Sequence, residues 1–124
     1  YAHHPTAIAR TIAAAREKFH GKKIVIFFHP HLYSRTRDLF DEFATALATA
    51  DAAYILPVYA AREPHDPSVS NKSLAEATDK KGGRAQAVED FEETTKLLRG
   101  LGGDTIAFTM GAGDVYKAGE QALK

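Results

Sequence analysis

The sequence predicts an α/β fold, a Rossmann-like open and mainly parallel sheet with helices on both faces. Short runs rich in β-branched and aromatic residues, such as KKIVIFF at 22–28, alternate with segments whose apolar residues recur every three or four positions. The first pattern is typical of buried strands and the second of amphipathic helices. Strands that alternate with helices form crossover connections, which produce parallel sheets. At 124 residues, the chain fits one domain, residues 1–124.

The first helix is predicted to begin near Pro5, because the missing proline N–H would have no partner in the first helical turn. Gly21 is placed as its C-cap, and KKIVIFF follows as a strand buried on both faces. A second helix is expected after HPHLYSRT, with Ser34 as its N-cap. The apolar faces consist of Ile8, Ile12, Ala15 and Phe19 in the first helix, and of Leu39, Phe40, Phe43 and Leu47 in the second.

The rest of the chain continues the alternation. AAYILPVY at 52–59 is predicted as a strand whose end Pro57 confines to an edge or a terminus, and residues 60–70 as a loop. A helix at about Asn71–Lys80 precedes a weak strand, RAQAV. The remaining predicted elements are a helix in EDFEETTKLLRGL, a strand in DTIAFTMG, a turn at GAGD and a last helix in VYKAGEQALK.

Composition excludes several classes of function. Sixteen basic and sixteen acidic residues balance, so no overall field favours nucleic acid or an anionic membrane. Cysteine is absent, which excludes disulfides, thiolate metal sites and cysteine nucleophiles. The longest apolar run is strand-sized, and the N-terminus YAHHPT lacks the apolar stretch of a signal peptide. It also lacks an initiator methionine, so we expect the chain to be a segment of a longer protein.

Ligands of open parallel sheets bind outside the carboxyl ends of the strands, which selects a candidate face of this fold. Arg35 and Arg37 follow the first strand and were expected in the first turn of the second helix, where the helix dipole disfavours cations. Their placement indicates an anionic partner, since arginine binds carboxylate and phosphate bidentately. The alternative is a solvated pair that bridges to Asp38 or Asp41. Arg35 is favoured because it lies nearest the loop.

Histidines and glycines supply the other candidates. Neighbouring His3 and His4 would point to opposite faces of an extended chain, so a protein-bound zinc ion is not predicted, and hydrogen-bonding or substrate-contacting roles are favoured. GAGD, residues 111–114, offers either backbone N–H groups to an anion or a tight turn capped by Asp114. The negative charge of Asp114 argues against phosphate and suits a substrate amine. No Ser-His-Asp set, carboxylate pair or GxxxxGK[ST] sequence stands out, so no catalytic residue is predicted in this domain alone.

Four motifs together resemble the C-terminal domain of the Mur ligases: YAHHPT, FHPHLYSRTRDLFDEF, LPVYAARE and TMGAGDVYK. The resemblance covers essentially the whole chain. It implies a three-domain cytoplasmic bacterial enzyme of peptidoglycan precursor synthesis, which forms an amide through an acyl phosphate with ATP and Mg²⁺. ATP and Mg²⁺ would be bound mainly by a central domain that this chain lacks. The chain itself would be the closing, amino-acid-binding domain, inactive alone and without a nucleic-acid or membrane partner.

The motifs are most similar to the branch of the family that adds L-alanine to UDP-N-acetylmuramic acid. The branch that recycles a preformed tripeptide shares the HHPT segment and is the first alternative. A stand-alone nucleotide- or metal-binding α/β module is an alternative of another class.

The resemblance also implies roles for individual residues. Arg35 would hold the L-alanine carboxylate, and Leu32 stands where the family often has another arginine. His4, together with Tyr1, would lie near ATP. The remaining residues implied to contact the amino acid are Tyr1, His3, Gly111, Gly113 and Asp114, with Arg37, His31 and Tyr33 as secondary candidates.

Overall fold

Residues 4–111 are described by the structure, a computed structural model. Within this range, four strands form one parallel sheet in the order β3-β2-β1-β4. The strands are β1 (Lys23–His29), β2 (Ala52–Ile55), β3 (Ala85–Ala87) and β4 (Thr105–Gly111). The helices are α1 (Pro5–Lys18), α2 (Tyr33–Asp38), α3 (Phe40–Leu47), α4 (Asn71–Lys80) and α5 (Phe91–Arg99). The predicted parallel α/β fold is confirmed.

Helices cover both faces of the sheet because β1 is apolar on both sides. Ile24, Ile26 and Phe28 point into a core formed with α1, α3 and α4. Val25 and Phe27 point the other way, into a smaller core against α5. Six consecutive residues of β1, 24–29, are buried, which matches the predicted pattern of a central parallel strand.

Helix α1 begins at Pro5, as predicted, with His4 as its N-cap and the His4 Nδ1 accepting the Thr6 N–H at 3.2 Å. Its C-cap is Phe19 rather than Gly21. Gly21 lies in the turn that follows, at φ +79°, a conformation that favours glycine. The C-cap prediction was therefore wrong by two residues, although the chain does reverse there.

The single helix predicted after HPHLYSRT is two helices, because Leu39 at φ −113° and ψ 21° interrupts the helical path between α2 and α3. The prediction that Ser34 caps it was also wrong. Helix α2 begins one residue before Ser34, and Leu32 is its N-cap without a side-chain hydrogen bond. Ser34 is instead free to bond a distant loop.

The second strand is shorter than predicted: β2 ends at Ile55, and Pro57 lies beyond it. Asn71, at the start of α4, closes this end of the sheet. Its side-chain amide donates to the Ile55 carbonyl at 3.1 Å and to the Val88 carbonyl at 2.9 Å. These two bonds tie the carboxyl ends of β2 and β3 together.

Candidate functional site

The strand order places a crevice at the carboxyl end of β1. The chain passes from β1 to β2 and β3 on one side, then returns to add β4 on the other side of β1. Such a reversal is where open α/β sheets bind ligands. His29 and Gly111 are register partners there, and the segment HPHLYSRT starts at this point.

Two of the loops at this edge concern the candidate arginines, and we name them the β1 loop, residues 30–32, and the β2 loop, residues 56–70. They are joined by backbone hydrogen bonds. The Tyr59 N–H donates to the Pro30 carbonyl at 2.8 Å, and the Leu32 N–H donates to the Tyr59 carbonyl at 2.7 Å. A parallel bridge between His31 and Tyr59 results, and it joins the two loops.

Each loop holds a residue in an unfavourable backbone conformation. Leu32 has φ +69° and Ala61 has φ +53°, and they are the two non-glycine residues with positive φ within residues 4–111. Such conformations cost of order 1–3 kcal/mol each and concentrate at functional sites. The strain at Leu32 occurs where the chain turns from β1 into the helix that carries both candidate arginines.

The two arginines of α2 have different surroundings. Arg37 pairs with Asp66 at 3.0 Å and with Asp38 at 3.3 Å. The Asp38 carboxylate, followed by that of Asp66, raises the pKa of Arg37 above its usual range. Arg35 is half-buried, and its guanidinium has neither a hydrogen bond nor an ion pair with any residue of the 4–111 range. Arg35 therefore remains available to an anion from outside this range, while Arg37 matches the alternative of a solvated pair.

The dipole of helix α2 does not disfavour the two arginines, contrary to expectation. Helix α2 has only six residues, so Arg35 and Arg37 also belong to its last turn, where cations are favourable. What distinguishes Arg35 is its lack of a partner in the described chain, not a conflict with the dipole.

Glu63 is the main residue of this edge that the sequence did not reveal. Its carboxylate accepts the Ser34 N–H at 3.1 Å and also the Ser34 hydroxyl. These bonds, the hydroxyl first, lower the pKa of Glu63. Asp66 is held similarly: the Ser68 hydroxyl and then the Ser68 N–H lower its pKa, with Arg37 contributing. The turn-forming composition of the β2 loop carried no signal for either contact.

Aromatic rings line the other side of the edge. The His31 ring stacks on Tyr59 at 5.4 Å and 13°, and the buried His29 ring meets Tyr59 and Phe91 edge-on. Tyr59 is 46% exposed, more than any other large apolar side chain within residues 4–111. Tyr33, the other aromatic candidate, has its hydroxyl 3.1 Å from the His65 Nδ1.

Gly111 has a structural reason to be glycine. A Cβ there would lie 2.3 Å from the His29 carbonyl oxygen, and its φ is +127°. Gly111 therefore allows the backbone of β4 to approach that of β1 closely. Tyr1, His3, Gly113 and Asp114, together with the predicted last helix, lie outside the described residues, and their roles stay predictions.

The described residues contain no group of three or more histidine or acidic side chains placed to hold a metal ion. Over the same residues, no helix combines the length and the apolar character needed to span a bilayer.

The fold and this edge define an α/β domain that carries, next to the strand reversal, an arginine whose side chain has no partner among residues 4–111. Residues 1–113 match the family model described as "Mur ligase, glutamate ligase domain". The chain therefore belongs to the Mur ligase family, through its C-terminal domain, as the motifs predicted.

Relatives and a solved structure agree with this assignment. The chain is 40% identical to the UDP-N-acetylmuramate–L-alanine ligase of Desulforapulum autotrophicum and 42% identical to that of Lachnospira eligens, in both over 100% of its length. It spans only 28% and 27% of those two proteins. The crystal structure of the Thermotoga maritima UDP-N-acetylmuramate–alanine ligase superimposes with a TM-score of 0.77 at 28% identity, over 99% of this chain and 24% of that one.

Proposed function

We propose that this chain is the C-terminal domain of an ATP-dependent ligase that joins L-alanine to UDP-N-acetylmuramic acid for peptidoglycan synthesis. The observation that carries the proposal is Arg35, a guanidinium at the ligand edge of the fold with no partner within residues 4–111. The names and lengths of the two relatives support a longer parent enzyme, of which this chain is about a quarter.

Arg35 suits the carboxylate of a free amino acid. A guanidinium presents parallel N–H donors that match both oxygens of a carboxylate, and the bonds are charge-assisted. The neighbouring Arg37 is already neutralised by two carboxylates, so it competes little for the same anion. Leu32 adds no charge, and the amino acid carboxylate is held on this side by one arginine.

In this proposal, ATP and Mg²⁺ are bound mainly by another domain of the enzyme. No metal-binding group is present in residues 4–111, and the sequence has no GxxxxGK[ST] phosphate loop. Glu63 and Asp66, the acidic residues of the β2 loop, are occupied by serine and arginine donors. We propose that other domains bind the metal and most of the nucleotide and that this domain contacts the amino acid, and we expect no ligation by this domain alone.

The test is steady-state kinetics of the full-length enzyme with Arg35→Ala. Loss of a charge-assisted bond of about 1.5–3 kcal/mol raises the KM for alanine by about 10- to 150-fold. The KM for ATP stays unchanged, because Arg35 is not assigned to the nucleotide. Arg10→Ala, at an exposed position on α1, is the matched control and keeps both constants at their original values.

An Arg35→Ala enzyme that folds and keeps its KM for alanine would refute the role of Arg35. Offering L-alanine and a preformed tripeptide to the unmodified enzyme tests the substrate separately. Phosphate release that depends on the tripeptide and not on alanine would assign the enzyme to the recycling branch.

A further inference from the structure

We propose that Glu63 is a positioning residue, which fixes the short helix α2 and thereby aims Arg35 at the amino acid. This inference rests on the proposed function of Arg35. It assigns a role in substrate binding to the β2 loop, at a residue 28 positions after the arginine it serves.

Helix α2 cannot hold its own orientation. It has six residues, fewer than an isolated helix needs to be stable in water. Its N-cap, Leu32, has no side chain able to accept a hydrogen bond, and its backbone is strained at φ +69°. A single turn of this kind depends on contacts from elsewhere in the chain to fix its first residues.

Glu63 supplies the missing cap from the neighbouring loop. One carboxylate oxygen accepts the Ser34 N–H at 3.1 Å, which is the task that an N-cap side chain performs in an ordinary helix. The other oxygen accepts the Ser34 hydroxyl, so both rotation and translation of this residue are restrained. Because Ser34 precedes Arg35 directly, the restraint acts on the backbone that carries the guanidinium.

The backbone of the β2 loop brings Glu63 to this place. The Tyr59 bonds to Pro30 and Leu32 align the two loops, and the Glu63 N–H donates to the Ala60 carbonyl at 2.9 Å. Ala61 adopts φ +53° within this turn. The unfavourable conformation of Ala61 therefore lies in the turn that places the Glu63 carboxylate next to Ser34.

Two contacts on either side of Arg35 occupy its neighbours, whereas the Arg35 guanidinium has no partner among residues 4–111. Arg37 is drawn toward Asp66, and Tyr33 toward His65, both of which lie on the β2 loop after Glu63. Arg35, between them in sequence, has no such partner on that loop. The same loop thus restrains the residues around Arg35 while leaving its guanidinium to the ligand.

The experiment compares Glu63→Ala, Glu63→Gln and Arg35→Ala, alone and in the double variant Arg35→Ala/Glu63→Ala, in the full-length enzyme. Glu63→Ala is expected to raise the KM for alanine about tenfold with kcat within about twofold. Glu63→Gln retains an oxygen that accepts the Ser34 N–H, so its KM stays within about threefold of the original. In the Arg35→Ala background, Glu63→Ala changes the KM by less than about twofold, because its effect acts through the arginine.

Hydrogen exchange of the peptide covering residues 33–39 provides a readout independent of catalysis. The Glu63→Ala protein exchanges these amides faster, and Glu76→Ala, an exposed glutamate on α4, leaves both exchange and KM unchanged. Additive effects of Arg35→Ala and Glu63→Ala, or a glutamine variant as impaired as alanine, would overturn the positioning role. An unmodified enzyme without alanine-dependent phosphate release would instead reject the function on which it rests.

Discussion

Polar side chains have different partners at the two ends of the strands, which we call the amino edge and the carboxyl edge of the sheet. At the amino edge, Asp51 accepts the N–H of buried Ile24 at 2.6 Å and pairs with Arg16 at 3.3 Å. Asp79 similarly accepts the Ala85 N–H at 2.8 Å. At the carboxyl edge, Arg35 finds no partner within residues 4–111. The charged side chains Asp51 and Asp79 at the amino edge stabilise the fold. At the carboxyl edge, the Arg35 guanidinium has no such role among residues 4–111.

Backbone strain also differs between the amino edge and the carboxyl edge. The positive-φ residues of the amino-edge turns are Gly21 and Gly82, which adopt this conformation with little penalty. The loops after β1 and β2 place Leu32 and Ala61 in comparable conformations. An edge that serves only folding has no reason to retain such residues. Within residues 4–111, backbone strain and a charge without a partner therefore occur together at the face that we propose for binding.

Gly111 is an exception to this division, because it lies at the carboxyl edge and yet serves folding, and its substitution should have the greatest effect on stability. Gly111→Ala places a Cβ 2.3 Å from the His29 carbonyl oxygen at a φ of +127°, which separates β4 from β1. We expect the free energy of unfolding to fall by about 3 kcal/mol in urea denaturation. Gly102→Ala, where an added Cβ meets no atom within 4 Å, is the control. Equal stability of the two variants would contradict the close approach.

A substitution at Asp51 tests whether the amino edge serves folding alone. Asp51→Ala leaves the buried Ile24 N–H without its acceptor and should lower the free energy of unfolding by about 2 kcal/mol. The KM of the full-length enzyme for alanine should not change. Asp51→Asn keeps an acceptor oxygen and should recover most of the stability. A raised KM in the alanine variant would show that the two edges are not separate in function.

The smallest effect is a pH dependence, because Glu63 and Asp66 interact near solvent. Their pKa values are lowered in the folded chain, chiefly by the hydroxyls of Ser34 and Ser68. Their stabilisation is therefore present above the ordinary carboxyl pKa and is lost as the pH falls through the lowered values. Below about pH 5, the original protein should lose stability more steeply than the variant Glu63→Gln/Asp66→Asn. Parallel curves from thermal unfolding at each pH would count against these contacts.

Sequence periodicity was sufficient for most of the fold. The strand buried on both faces within KKIVIFF and the helix at about Asn71–Lys80 were predicted, because burial and capping are local properties of consecutive residues. The start of α1 at Pro5 followed for the same reason. In these elements, either burial or capping determines the residue type at each position.

The site was only partly predictable, because its geometry depends on distant contacts. Arg35 was selected from its position near the loop, but its contrast with Arg37 depends on Asp66, 29 residues away. The bond from Ser34 to Glu63 spans the same separation, and it replaced the capping role that local rules gave to Ser34. Sequence periodicity does not reveal contacts between residues so far apart in the chain. It also did not reveal the interruption between α2 and α3 at Leu39.

The joined edge loops have a consequence for recombination between relatives. A chimaera that imports residues 30–37 alone would separate Ser34 from Glu63 and Arg37 from Asp66. Its Arg35 would therefore lack the contacts that position helix α2. Residues 30–37 and 59–66 form one transferable module in two pieces of sequence. Crossover points that respect it lie before β1 and after the start of α4, and they keep both pieces from the same parent.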